Sequence, residues 1–446
     1  MRLGAQGVSD TTVLALAAGE GGADAVAELS AFQRLKNRML IRGVVTEARS
    51  ASHPGAALAA RAYGLLADLE VEAGEEVERV LRYPAVGAWA WRTYRSLRSG
   101  NGTSDDPAQL GAPAVVAAVR ARIACRVRLP VRDGAIMLPS LGRLTLPEGV
   151  EETVDITVRP DADGAELEAA GLTVRVRPRG DRPGWQALHG LRVTPGFEPV
   201  VDDLDPYRWS AKEVAEPRLD PGRLRAWGTH LDDAWRILAA HHATVAEEVR
   251  LTVSVLTPVK APERGQNSAT SRETFGTVAM SDPWHGVGLA ATFAHEIQHA
   301  KLTALTEAIP LTLPDDGSRH YAPWRDDPRP VYGLLQGSYA YLGVAEFWRR
   351  QHRFERDAEA FRARVELARW RRAAYAVTGT LLASGGLNER GEEFVARMRK
   401  TLEECAAEPV DSAAESQARR EAERHLDAWR RRNPGFRANG WPHTGP

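Results

Sequence analysis

Two histidines four residues apart with a glutamate beside the first, His295-Glu296-Ile297-Gln298-His299, carry the most specific chemistry in this sequence. On an α-helix a four-residue step returns to the same face, so the imidazoles project together and can hold one metal ion. Glu296 lies one step round, within reach of that ion or of water bound to it. Leu289, Ala290, Phe293, Ala294 and Ile297 are apolar at helical spacing, so the rings ride on a helix buried along one side, where a metal satisfies groups that would otherwise seek water. Hydrogen bonds to backbone or carboxylates are the structural alternative for the pair.

The third ligand must come from elsewhere. After His299 the chain reads Ala300-Lys301-Leu302-Thr303-Ala304-Leu305, without the glycine and histidine that the metzincin pattern requires. A later helix, expected from about Tyr332, carries Gln336, Tyr339, Gly343, Glu346 and Arg350 at offsets of three and four, with Gly343 leaving a gap where another element can approach. Glu346 is the expected third ligand, being anionic, in an apolar stretch and on the stripe of Tyr339; an ion pair with Arg349 or Arg350 is its competing role. Gln336 suits a hydrogen bond to a ligand or to a metal-bound side chain better than coordination. Between the two helices runs Tyr321-Ala322-Pro323-Trp324-Arg325-Asp326-Asp327-Pro328-Arg329-Pro330, stiffened by three prolines. Arg325 and Arg329 can each fork onto a carboxylate of a small dicarboxylate cofactor or an acidic substrate. Internal pairs with Asp326, Asp327 or Glu346 are the alternative.

The elements that must position these residues follow from periodicity. From Thr12 to about Val115 apolar residues recur at helical spacing, as in Val26, Leu29, Phe32, Leu35 and Met39. From about Val119 to Pro199 short alternating runs take over: Val154, Ile156 and Val158 among Asp155 and Thr157, then Leu172, Val174 and Val176 among Thr173, Arg175 and Arg177. These predict a small, largely antiparallel sheet. The acidic segment from Val201 to Tyr207 reads as a turn whose carboxylates are solvated or cap backbone. A helix follows from Pro221 to Glu248, then a strand from Leu251 to Leu256, and a short apolar run from Phe275 to Met280. The metal helix is expected from Pro283 to Leu305, capped by Asp282 with Pro283 in its first turn. Amphipathic helices occupy 357–380, 392–405 and 415–432, with an irregular tail from Asn433. The fold class is therefore α+β, predominantly helical, with a small antiparallel sheet inserted before a helical HExxH metal-binding core. The expected regions are 1–118 (helical), 119–202 (β-rich), 203–354 (catalytic core) and 355–446 (helices packing on the core).

With 446 residues, 43% hydrophobic and 26% charged, the chain supports more than one core. Its net charge of -1 offers no global basic field for nucleic acid. Two isolated cysteines, Cys125 and Cys405, make neither a disulfide framework nor a thiolate zinc site. The start, Met1-Arg2-Leu3-Gly4, lacks the layout of an export signal, no apolar run reaches transmembrane length, and no phosphate-binding glycine loop occurs. A cytoplasmic protein with no membrane partner is the expectation.

Three stretches resemble a known family, the HExxH proteins of actinobacterial peptide-modification clusters: F-A-H-E-I-Q-H-A-K-L-T-A-L at Phe293 to Leu305, A-P-W-R-D-D-P-R-P at Ala322 to Pro330, and G-L-L-Q-G-S-Y-A at Gly333 to Ala340. Fainter similarity lies at Leu138 to Leu144, Asp202 to Arg208 and Ser268 to Gly276. The resemblance implies an iron(II)- and 2-oxoglutarate-dependent oxygenase that uses dioxygen to hydroxylate a β carbon in a ribosomally synthesised precursor peptide. His295 and His299 carry over as iron ligands. Look-alike proteins often have histidine where this chain has Gln336, a departure that favours Glu346 as third ligand. Two histidines and a carboxylate would leave three positions for 2-oxoglutarate and oxygen. Glu296 would then orient bound water or substrate, and Arg329, held between Pro328 and Pro330, would anchor 2-oxoglutarate, with Arg325 and Lys301 as substitutes. The alternative is a zinc-dependent metallopeptidase in which Glu296 is the general base, Glu346 completes the site and Tyr339 or Arg329 stabilises the intermediate. A peptide-binding scaffold is a third possibility.

Overall fold

The computed structural model describes residues 7–100, 106–161, 164–176, 180–210, 212–215, 217–263 and 265–436. Residues 1–4, Arg177 of the expected strand and 437–446 of the expected tail lie outside them. In chain order the elements begin with α1 (Asp10–Ala17), α2 (Gly22–Ser50), α3 (Ala56–Leu81), α4 (Pro84–Ser99), a 3₁₀ turn (Pro107–Leu110) and α5 (Gly111–Ala121). Strands β1 (Cys125–Pro130), β2 (Ala135–Leu138), β3 (Gly142–Thr145), β4 (Thr153–Asp161), β5 (Gly164–Ala169), β6 (Leu172–Val176), β7 (Trp185–Ala187), β8 (His189–Gly190) and β9 (Val200–Val201) follow. Next come α6 (Pro221–His241), α7 (Ala243–Thr252), β10 (Val255–Pro258), β11 (Ser268–Ala269), β12 (Thr277–Met280), α8 (Gly286–Ala308), α9 (Val331–Gln351), α10 (Asp357–Ala383), α11 (Glu389–Ala406) and α12 (Ser412–Arg432). The fold is mixed and predominantly helical, with several small sheets.

The chain divides into two compact units, each assembled from separated stretches. One contains residues 33–228 and 253–282 within the described range. Its core joins α3, α4 and α5 to two antiparallel sheets, ordered β1-β4-β5-β6 and β2-β3-β7. The alternation read from the sequence is the register seen: Val154, Ile156 and Val158 are buried while Asp155 and Thr157 face outward, only partly covered. A third sheet, β11-β12-β10-β9-β8, is mixed, because β10 runs parallel to both β9 and β12. The sequence expectation contained no parallel pairing, which needs partners far apart in the chain. The expected strand at Leu251 to Leu256 is also corrected: α7 continues through Thr252, and β10 begins at Val255.

In this unit the acidic turn differs from a solvated one. Asp202, Asp203 and Asp205 are all buried. Asp202 accepts the Tyr83 hydroxyl at 2.6 Å and the backbone N–H groups of Leu204 and Asp205, and Asp205 accepts the N–H of Tyr207. Capping is thus borne out; solvation is not. Burial, then the neighbouring Asp202 charge, raise the Asp205 pKa to about 7. Since an unfolded aspartate titrates near ~3.9, the folded state binds the extra proton, and this contribution to stability is present at acidic pH and lost as pH rises through about 7. Asp205→Asn keeps the acceptor oxygen without the charge. Its melting temperature should approach that of wild type only below about pH 4, the unfolded aspartate's pKa, and exceed it increasingly up to pH 8, by a stability gain on the order of a few kcal/mol; parallel stability curves for the two proteins would contradict the assignment.

The other unit contains residues 7–32, 229–252 and 283–436 within the described range. It is helical, with α9 packed between α8 and α10, and α10 against α11 and α12. Leu289, Ala290, Phe293, Ala294 and Ile297 are buried along α8, as their spacing predicts. The helix starts at Gly286, later than expected, because the His285 ring caps it by accepting the N–H of Gly288 at 2.9 Å. Asp282 instead receives Arg223 and the Trp227 indole.

Candidate metal centre

His295 and His299 lie on one face of α8, each half-buried. Their Nε2 atoms are 3.2 Å apart. Two nitrogens each ~2.05 Å from one tetrahedral ion would be about 3.3 Å apart, so the rings already converge as a bidentate pair. His299 Nδ1 is 3.1 Å from Gln336 Oε1. A glutamine oxygen only accepts, so the ring proton sits on Nδ1 and the His299 Nε2 lone pair faces His295. Burial lowers the pKa of His295 well below the ordinary histidine value, and the charge on His299 lowers it further. Burial also lowers that of His299, against the opposing hydrogen bond that its ring donates to Gln336. Both imidazoles are therefore neutral near pH 7, which is the ligating form.

α8 and α9 are antiparallel. At Gly343 a Cβ would stand 2.6 Å from the Gln298 side chain and 2.8 Å from the Ala294 carbonyl, so only glycine permits this approach. The gap read from the sequence is where α8 comes closest. Two turns away, Gln336 bridges: its amide nitrogen donates to the Tyr332 hydroxyl at 3.0 Å and approaches the Thr303 hydroxyl at 3.4 Å. Gln336 therefore orients His299, the role expected of an amide next to a metal ligand. Gln336→Leu should lower metal affinity about ten- to a hundredfold, measured by competition with a chelator of known affinity; unchanged affinity would remove Gln336 from the site.

Five other expected site residues are placed differently. Tyr339 is buried and its hydroxyl donates to the Leu16 carbonyl at 2.8 Å, next to Phe394, so it locks helices together instead of facing the histidines. Glu346 binds Arg349 through two hydrogen bonds. Ten residues beyond Gln336, it is displaced by roughly 15 Å along α9, too far to share an ion with His299. Lys301 is two residues beyond His299, about 200° round the helix, and is buried with its ammonium 2.8 Å from both oxygens of Glu248. Arg325 and Arg329 are both held by Asp327, at 3.0 and 2.9 Å. This is the internal pairing weighed against cofactor capture. Burial resists ionisation of Asp327, and hydrogen bonds from Arg329 and Arg325 outweigh it, lowering its pKa. One carboxylate shared by two guanidiniums leaves the trio with net positive charge.

Among the described residues no third histidine, cysteine, aspartate or glutamate joins the histidine pair as a metal-binding group. Neither cysteine can supply a thiolate, because burial pushes Cys125 to about 11 and Cys405 to about 12. The chain matches no family model and no curated protein.

The residues beside the pair that sequence reasoning passed over are aromatic. The Tyr341 ring meets His295 edge-on at 4.9 Å, stacks on Trp370 at 4.0 Å and lies 4.8 Å from Trp324. Trp324 reaches this position because Gly337 leaves room for its indole; a Cβ there would come within 2.4 Å of the ring nitrogen. Burial raises the Tyr341 pKa, and the charges of Arg369, Glu296 and Arg325 all reach it. Glu296 is itself fully buried. Tyr341 was detectable in principle: in antiparallel helices, stepping back from His299 to His295 means stepping forward from Gln336, by about one turn, to Tyr341.

Proposed function

We propose that His295 and His299 hold one divalent metal ion and that the protein is an iron(II)- and 2-oxoglutarate-dependent oxygenase hydroxylating a β carbon in a ribosomally made peptide. The observation that carries the metal reading is the 3.2 Å convergence of the two Nε2 atoms, with the far side of His299 tethered to Gln336. The reaction class rests on the resemblance of the three stretches around that pair. Iron(II) with 2-oxoglutarate and dioxygen supplies an oxidant that can take hydrogen from an unactivated carbon, with succinate as co-product. The chain's own residues hold and orient the imidazoles through Gln336, and wall the site with Tyr341 and Trp324. Arg325 and Arg329, together only half neutralised by Asp327, supply attraction for a dicarboxylate.

Anaerobic titration of iron-loaded protein with 2-oxoglutarate should produce the charge-transfer absorption of the bound 2-oxo acid. Arg325→Gln and Arg329→Gln should each weaken that binding roughly tenfold, the worth of one charge-assisted hydrogen bond, with iron content unchanged. A wild-type protein that gives no absorption change sinks the oxygenase reading. Full affinity in both variants rejects the arginine anchor alone.

The zinc peptidase reading is favoured by one feature, the buried Glu296 carboxylate and Tyr341 phenol flanking His295. A base and a hydroxyl donor beside one ligand are what hydrolysis by metal-bound water needs. Cleavage of a peptide by the zinc-loaded protein without oxygen and 2-oxoglutarate would establish that reading in place of the oxygenase.

A further inference from the structure

The unit without the histidine pair contains a cavity of about 150 Å³. Its base is apolar and buried: Trp89 of α4, Ala112 of α5, Ile136 of β2 and Leu204. Its rim is polar and more exposed, with Asp133 and Pro206 open to solvent and Arg132 and Arg143 half-buried. Empty apolar space of this size takes a benzene-sized group. Its walls resist collapse because Pro113, Pro139 and Pro206 all line it and fix their backbone.

Arg143 gives the rim its chemical preference. Its guanidinium donates to a neutral partner, Gln186 Oε1, from Nε at 2.9 Å and Nη2 at 2.6 Å. Among the described residues it forms no ion pair, so its charge is oriented by an amide without being neutralised. Arg132 adds a second cation on the rim, donating to the Tyr207 hydroxyl at 3.2 Å and lying over that ring. Two of the fainter stretches noted in the sequence meet here: Pro139 and Arg143 from one, Leu204, Asp205, Pro206 and Tyr207 from the other. Residues from the third are tied in through Glu273, which pairs with Arg92, whose guanidinium lies over Tyr207. None of these residues takes part in the histidine site.

We propose that this cavity is a peptide-binding pocket that takes one aromatic side chain, with Arg143 binding the carboxylate of an adjacent acidic residue. The open rim lets a chain continue on either side of the inserted ring, and the base excludes water from it. The pocket does not depend on the metal reading: a peptide can be gripped here whatever reaction follows.

Isothermal titration of the full chain with N-acetyl-Asp-Phe-amide, with N-acetyl-Asn-Phe-amide and with free 3-phenylpropanoate tests this. The acidic dipeptide should bind about tenfold or more tighter than the asparagine analogue, the worth of a charge-assisted bond, and tighter than the free acid. Arg143→Gln should remove that preference, leaving the two dipeptides equal. Ala135→Leu, which fills the cavity from β2, should abolish binding of both; melting curves of each variant confirm that it is folded. No binding of either dipeptide to wild type overturns the proposal, as does an acid preference that survives in Arg143→Gln. Tighter binding of 3-phenylpropanoate than of the dipeptides also overturns it, in favour of a small aromatic acid. Metal content measured on the same samples separates this outcome from failure of the histidine site.

Discussion

His295→Ala and His299→Ala should each abolish stoichiometric metal binding while leaving the helical circular dichroism spectrum substantially intact. Only two imidazoles converge here, and removing one leaves a single protein nitrogen. The affinity loss should exceed about a hundredfold, since changes to residues that merely orient a ligand already cost ten- to a hundredfold. The fold should survive because α8 is anchored by its opposite side: Leu289, Phe293, Ile297, Leu302 and Leu305 are all buried, whereas the two rings are half-buried. Metal analysis after dialysis gives the stoichiometry, and full occupancy in both variants would eliminate the site.

Lys301→Met is expected to damage the fold and spare cofactor binding, the reverse of its role as a candidate 2-oxoglutarate anchor. Lys301 and Glu248 are each almost completely buried and paired at 2.8 Å, with the Gly22 N–H completing the Glu248 shell. Burial lowers the Lys301 pKa and the Glu248 charge opposes that shift, so the ammonium form depends on its partner. Removing one member leaves a buried carboxylate without its counter-charge, at a cost of about 3–5 kcal/mol, or a melting temperature lower on the order of 10 °C. Replacing both, as in Lys301→Met with Glu248→Leu, should recover most of that loss, because two apolar side chains avoid desolvating two ions. Thermal unfolding followed at 222 nm distinguishes the cases, and a Lys301→Met protein as stable as wild type would exclude a buried ion pair here. Its 2-oxoglutarate affinity, measured by the same anaerobic titration, should stay at the wild-type value.

No helix among the described residues is long and apolar enough to cross a membrane, in keeping with the absence of long apolar runs. The arginine loop shows how a motif can be legible while its function is not. Arg325, Asp327 and Arg329 are close in sequence, so both outcomes, internal pairing and ligand capture, were readable from composition; the folded chain brings Asp327 to both guanidiniums. Glu346 finds an internal partner for a similar local reason, since Arg349 lies one turn away on the same helix.

The short-range part of the protein is legible in its residues alone. Periods of 3.6 and 2 marked the helices and the antiparallel strands, and a four-residue spacing put His295 and His299 on one face, because those relations depend only on backbone geometry within a few residues. Tertiary structure decided which faces meet. The antiparallel register of α8 and α9 brings Gln336 to His299 and Tyr341 to His295, and it leaves Tyr339 to bond Leu16 across a sequence separation of 323. Lys301 finds Glu248 53 residues away, and Asp202 is covered by Tyr83 at a separation of 119. Whether a charged side chain is solvated, paired or part of a site depends on what the rest of the chain packs over it, and burial of that kind has no local period to read.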